Sequence, residues 1–130
     1  MLERDFLMRQ LMQLFEALQN IIRHRKKGET DHAQEDISFF YSILKMDKDS
    51  GRLGIEELMK LLVEDKKFTN GQLELVAYVL KEQGELAEEE EEREDYFRKS
   101  YFLLEKVERE SITFSLDRLM RIEELKEYLN

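Results

Sequence analysis

His32 stands three and four residues before Glu35 and Asp36. On a helix that spacing puts all three about one turn apart. A histidine with two carboxylates can hold a divalent cation or serve as an acid/base pair. A zinc or iron centre normally recruits more ligands than these, so the expected reading is a solvated polar first turn. His24, the other histidine, lies in Arg23-His24-Arg25-Lys26-Lys27, where the surrounding positive charge repels a metal. Carboxylates are abundant, but nothing marks two of them as a buried pair in contrasting environments. There is no Gly-rich phosphate loop and no Gly-x-Ser-x-Gly elbow. Ser42 and Ser100 fall on apolar helix faces and read as small packing residues, not nucleophiles. The absence of cysteine removes disulfides, thiolate nucleophiles and zinc–thiolate sites. The chain is therefore not read as an enzyme, and no cofactor is expected.

Asp47-Lys48-Asp49-Ser50-Gly51-Arg52-Leu53-Gly54-Ile55-Glu56-Glu57-Leu58 resembles a calcium-binding EF-hand loop. Asp47 and Asp49 fit the first and third ligand positions. Ser50, Gly51 and Glu57 reach the fifth, sixth and twelfth only if one residue is removed after Asp49. Without that shift Leu58 occupies the twelfth position, where an oxygen ligand is required. The expected reading is a turn that caps the short helix after it.

Two charge clusters are candidates for partner recognition. Glu88–Glu92, extended by Glu94 and Asp95, can attract a basic partner, but it also suits the start of a helix, where acids favour the dipole. Arg23–Lys27 can touch an anionic surface, but five residues without interleaved aromatics more simply compensate a helix C-terminus. The formal net charge of −9 makes nucleic acid a poor default partner.

The elements that carry these residues read as helices. The chain has 130 residues, 42% hydrophobic and 39% charged, with no proline and five glycines. That composition suits amphipathic helices with charged outer faces. The first helix is expected over Glu3–Lys26, stopped by Gly28. Leu7, Leu11, Leu14, Leu18 and Ile21 form an a/d stripe on it, widened by Met8, Phe15 and Ile22. A second helix is expected from Thr30 or Asp31, with Gln34 completing a capping box on Asp31. Asp47–Gly54 is a loop, and Ile55–Val63 a short third helix. Thr69 or Asn70 caps a fourth helix that ends near Gly84. A fifth spans Glu88–Glu108. Ser111–Ser115 is a connector, and Ser115 caps the last helix. No apolar run approaches the roughly 20 residues that span a bilayer, and MLERDFLMRQ lacks the apolar core of a signal peptide. A cytoplasmic protein, without membrane contact, is expected.

Asn70–Lys106 resembles a tetratricopeptide helical hairpin. Leu73, Val76, Ala77 and Leu80 have that family's large, large, small, large spacing. Lys81–Leu86 resembles its inter-helix turn, with Gly84 at the turn position, and Phe97 and Ser100 supply the aromatic and small residues of the second helix. About four extra residues precede Phe97, the terminal proline is absent and one repeat is visible, so the resemblance implies tetratricopeptide-like packing and not a binding array. The opening ERDFLMRQLMQLFEAL, the Asp-rich loop and this hairpin together resemble a group of small bacterial proteins. That resemblance implies an all-helical fold and implies no activity.

The expectation is an all-α chain of about six helices in antiparallel hairpins with right-handed, tetratricopeptide-like packing. It is read as one domain over residues 1–130, with an N-terminal hairpin over 1–46 and the remaining helices over 55–130. The expected function is protein–protein interaction or scaffolding, with a homodimer formed through Leu7, Leu11, Leu14, Leu18 and Ile21. Two alternatives are a metal-dependent protein or enzyme built on the carboxylates around His32, and a regulatory partner subunit.

Overall fold

The structure, a computed structural model, describes residues Leu2–Asn130. The fold is all-α, and no strand occurs among the described residues. Six α-helices follow in order: α1 (Leu2–Lys26), α2 (Thr30–Ile43), α3 (Ile55–Met59), α4 (Asn70–Leu86), α5 (Glu90–Glu110) and α6 (Leu116–Leu129). A 3-10 turn occupies Ser50–Arg52, and α3 runs on into a π-helical segment, Lys60–Asp65. The chain divides after Leu53 into two compact units, the second being Gly54–Asn130. The division falls in the polar Asp47–Gly54 loop, where the charged residues Asp47, Lys48 and Asp49 are exposed.

The first unit is the α1–α2 hairpin. Gly28 ends α1 in the left-handed region, at φ +75. Its amide donates to Arg25 O and that of Glu29 to His24 O, a closure that needs a residue without a Cβ penalty. Leu14, Ala17, Leu18 and Ile21 of α1 are buried, as are Ala33, Ile37, Phe40 and Tyr41 of α2. The capping box expected at Asp31 and Gln34 does not form. Glu29 is the N-cap residue, without a side-chain cap. Neither α2 nor the π segment ends on glycine: Lys45 and Lys67 take positive φ instead.

In the second unit, Thr69 caps α4 through a full capping box with Gln72. Burial along α4 is nearly continuous from Gln72 to Gly84, with only Glu74 half-exposed. The turn to α5 is Ala87–Glu89, not Lys81–Leu86, because α4 stays helical through Gly84. Arg93 reaches back from α5 to satisfy the α4 C-terminus, donating to Gly84 O at 3.2 Å and Ala87 O at 2.9 Å. Glu90, Glu91 and Glu92 fill the first turn of α5, exposed to solvent, so the acidic tract opens a helix. Inside the α4–α5 hairpin the buried Ser100 hydroxyl donates to Ala77 O at 2.7 Å. Ser115 caps α6 by accepting from the Arg118 amide.

Candidate interaction surface

The apolar residues of α1 separate into two groups. Leu14, Leu18 and Ile21 are buried, and Leu7 and Leu11 are half-buried. The stripe expected to meet a second chain is thus largely consumed within this one. A heptad pattern marks a continuous apolar face but does not say which helix covers it. The large side chains left in solvent flank that stripe: Phe6 at 67%, Met8 at 55%, Met12 at 68% and Phe15 at 53% exposure. Phe39 on α2 is exposed as well. Phe6 and Phe39 belong to a groove of about 650 Å³ between α1 and α2, bordered by Arg9 and Glu16. Leaving four such side chains on one helix in water is costly unless a partner covers them.

The second unit has apolar surface of its own. Ile55, Met59, Val63 and Phe102 line a groove of about 690 Å³ between the α3–π segment and α5. Charges of both signs, including Lys106 and Glu110, rim it. Ile112, Phe114, Leu116 and Met120 are exposed along the connector and the start of α6.

His32, Glu35 and Asp36 do not converge on one site. His32 Nδ1 lies 3.2 Å from Glu35 Oε1 on the exposed side of α2. Asp36 turns to α1, where its carboxylate is 2.5 Å from His24 Nδ1. The two imidazole rings sit 5.3 Å apart, tilted by 37°. Each carboxylate therefore holds a different histidine, and the His24–Asp36 bond ties the end of α1 to α2. Among the described residues, no group of three His, Cys, Asp or Glu side chains is placed to hold a metal ion.

The Asp47 loop is wound up on itself. The Asp47 carboxylate accepts from the Asp49 amide at 2.7 Å, and Asp47 O accepts from the Ser50 amide. Asp49 O and Ser50 O accept from Arg52 and Leu53. Of the side-chain oxygens that an EF-hand would aim at calcium, the Asp47 carboxylate is turned onto its own loop, which is wound as a 3-10 turn. The loop ends on the N-cap residue of α3, Gly54, whose carbonyl accepts from the Leu58 amide at 2.8 Å, and no side chain takes part in the cap. Calorimetric titration with calcium is expected to give no heat at millimolar ion. A saturable signal abolished by Asp47→Asn would reverse that assignment.

A buried polar cluster without a sequence signature gathers on Arg118. Arg118 is buried, and its guanidinium donates to Glu108 at 2.7 Å, Glu74 at 3.2 Å and Thr113 O at 2.9 Å. Burial works against its charge, but Glu108 and Glu74 outweigh that and hold its proton more tightly than in water. Tyr78 donates to Glu74 at 2.5 Å, and Arg121 lies 4.2 Å over its ring. Burial, then the Glu74 bond, pushes the Tyr78 hydroxyl well above its ordinary pKa. A phenol held protonated in this way is a hydrogen-bond donor that fastens α4, not a base. Lys81 adds a link from α4 to Glu124 of α6 at 3.1 Å.

No helix among the described residues is long and apolar enough to cross a membrane. Comparison of the chain with protein-family models, with curated proteins and with solved structures returned no match.

Proposed function

We propose that the chain is a helical protein-interaction module without catalytic activity, and that its first partner is a second copy of itself. The observation that carries this reading is the exposed flank of α1, where Met8, Met12 and Phe15 stand in solvent although the core stripe beside them is filled. Methionine and phenylalanine are favoured at such surfaces, because the first adapts its shape and the second brings a large rigid apolar area. The α4–α5 hairpin, with its tetratricopeptide-like sequence pattern, serves in this reading as scaffold and not as a binding array. The separate pairing of His24 with Asp36 and His32 with Glu35 favours this reading over the metal-dependent one.

Light scattering at tens of micromolar tests the reading. A dimer is expected, with a dissociation constant on the order of micromolar given so modest an apolar contact. Met12→Lys is expected to produce a monomer with unchanged helical circular dichroism, since Met12 contributes little to the chain's own packing. A wild-type monomer at these concentrations would remove the self-association claim.

A further inference from the structure

The charges along α1 say how two copies would meet. At 100° per residue, Met8, Met12 and Phe15 fall within roughly 60° of one another. Asp5, Arg9, Glu16 and Arg23 lie together within about 40° along one edge of that stripe. All four are exposed. Among the described residues, none of the four has a side-chain ion-pair partner within the chain.

Read along the helix, the edge runs acid, base, acid, base. Read backwards it runs base, acid, base, acid. The edge is therefore complementary to itself only when the second copy runs the other way. In an isologous antiparallel pair the same edge of each helix faces its counterpart, so each acid on that edge meets a base.

Building on the reading of α1 as the association surface, we infer that two copies pair through α1 in antiparallel orientation, centred on Met12. With a rise of about 1.5 Å per residue, that centre sets Met12 against Met12 of the partner subunit and Met8 beside Phe15 of the partner subunit. Arg9 then lies beside Glu16 of the partner subunit. Asp5 is about one turn out of level with Arg23 of the partner subunit, a gap that the arginine side chain spans. Two-fold symmetry repeats each pair, giving four ion pairs around a Met–Phe centre. A parallel pair would instead set this edge against the opposite edge, where Arg4, Leu11 and Ile22 lie and no acid answers Arg9.

Because the chain contains no cysteine, introduced thiols report this arrangement without background. Under mild oxidation, Met12→Cys is expected to form a covalent dimer, and so is Met8→Cys combined with Phe15→Cys. Met8→Cys alone is not, since its two copies would stand about 12 Å apart along the axis. Residues 8 and 15 of one helix are too far apart to join within a chain. Efficient cross-linking of Met8→Cys alone would show a parallel pair and overturn the orientation while leaving the dimer intact. A dimer by light scattering that Met12→Cys fails to cross-link would place the contact elsewhere and also overturn it. A wild-type monomer would end this inference together with the reading it rests on. Charge reversal gives an independent check. Arg9→Glu is expected to weaken the dimer about tenfold, and Arg9→Glu with Glu16→Arg to restore it. An unchanged constant in the single variant, or no recovery in the double, would reject the register.

Discussion

Gly84→Ala is expected to destabilise the protein by about 1 kcal/mol, opposite in sign to what helix propensity alone gives. Gly84 lies inside α4 without positive φ, so its own backbone would accept alanine. In an exposed helix that exchange stabilises by about 1 kcal/mol. Here the new Cβ would stand 2.5 Å from Phe97 Cδ1 and Cε1 and 3.3 Å from Arg93 O. No carbon tolerates the first distance, and the second presses on the backbone. The Phe97 ring cannot simply retreat, because Tyr128 of α6 packs edge-on against it with centroids 4.7 Å apart. Relief therefore requires the start of α5 to move away from α4. That motion strains the Arg93 bonds to Gly84 O and Ala87 O. Overpacking of this kind typically costs about 1–3 kcal/mol, and the upper part of that range exceeds the propensity gain. Urea unfolding of the two proteins measures the difference. Phe97→Leu in the Gly84→Ala background is expected to recover part of the loss, since it removes the ring atoms that clash. If Gly84→Ala proved stabilising, the close approach of α5 at this point would be wrong.

The same glycine shows what the amino-acid sequence made legible and what it hid. Glycine and good capping residues placed helix ends well where they act through their own backbone or hydroxyl: Gly28, Thr69 and Ser115 did so. Gly84 was read as an end for the same reason, yet its use is steric, and the Phe97 ring that demands it lies thirteen positions away. Lys45 and Lys67 close their segments with positive φ, a role that lysine does not advertise. The π-helical continuation of α3 likewise has no local signature. The apolar stripe of α1 was plain from its spacing, but spacing cannot distinguish Leu14, which the chain buries, from Met12, which it leaves in water. His24 and Asp36 lie on different helices and stand twelve residues apart in sequence, so no motif announces their bond. Arg118 is the extreme case. Its neighbours Leu116, Asp117, Leu119 and Met120 look like an ordinary amphipathic helix start, and only the packed structure reveals a buried cation.

Arg118 carries the other large expected effect: Arg118→Met is expected to cost about 2–3 kcal/mol. One guanidinium joins Glu74 of α4, Glu108 of α5 and the carbonyl of Thr113 in the connector, while its own helix is α6. Methionine keeps the aliphatic stem but takes the guanidinium from three acceptors, of which Glu74 keeps its bond from the Tyr78 hydroxyl. Breaking a fully buried pair costs about 3–5 kcal/mol, because a charge is stranded. The stranded carboxylates here retain some water, since Glu74 is 20% and Glu108 35% exposed, which brings the figure down. Arg118→Lys keeps the charge but not the fork, and is expected to recover less than half of the loss. Neutralising the acids tests the cause: Arg118→Met with Glu74→Gln and Glu108→Gln is expected to be more stable than Arg118→Met alone, because no unpaired charge remains. If the triple variant were instead less stable, the arginine's contribution would lie in its packed stem and not in its bonds. The loss should also be local in character. Without its Thr113 bond the Ser111–Ser115 connector has fewer ties, so amide exchange and protease cleavage there are expected to rise before the α4–α5 hairpin opens.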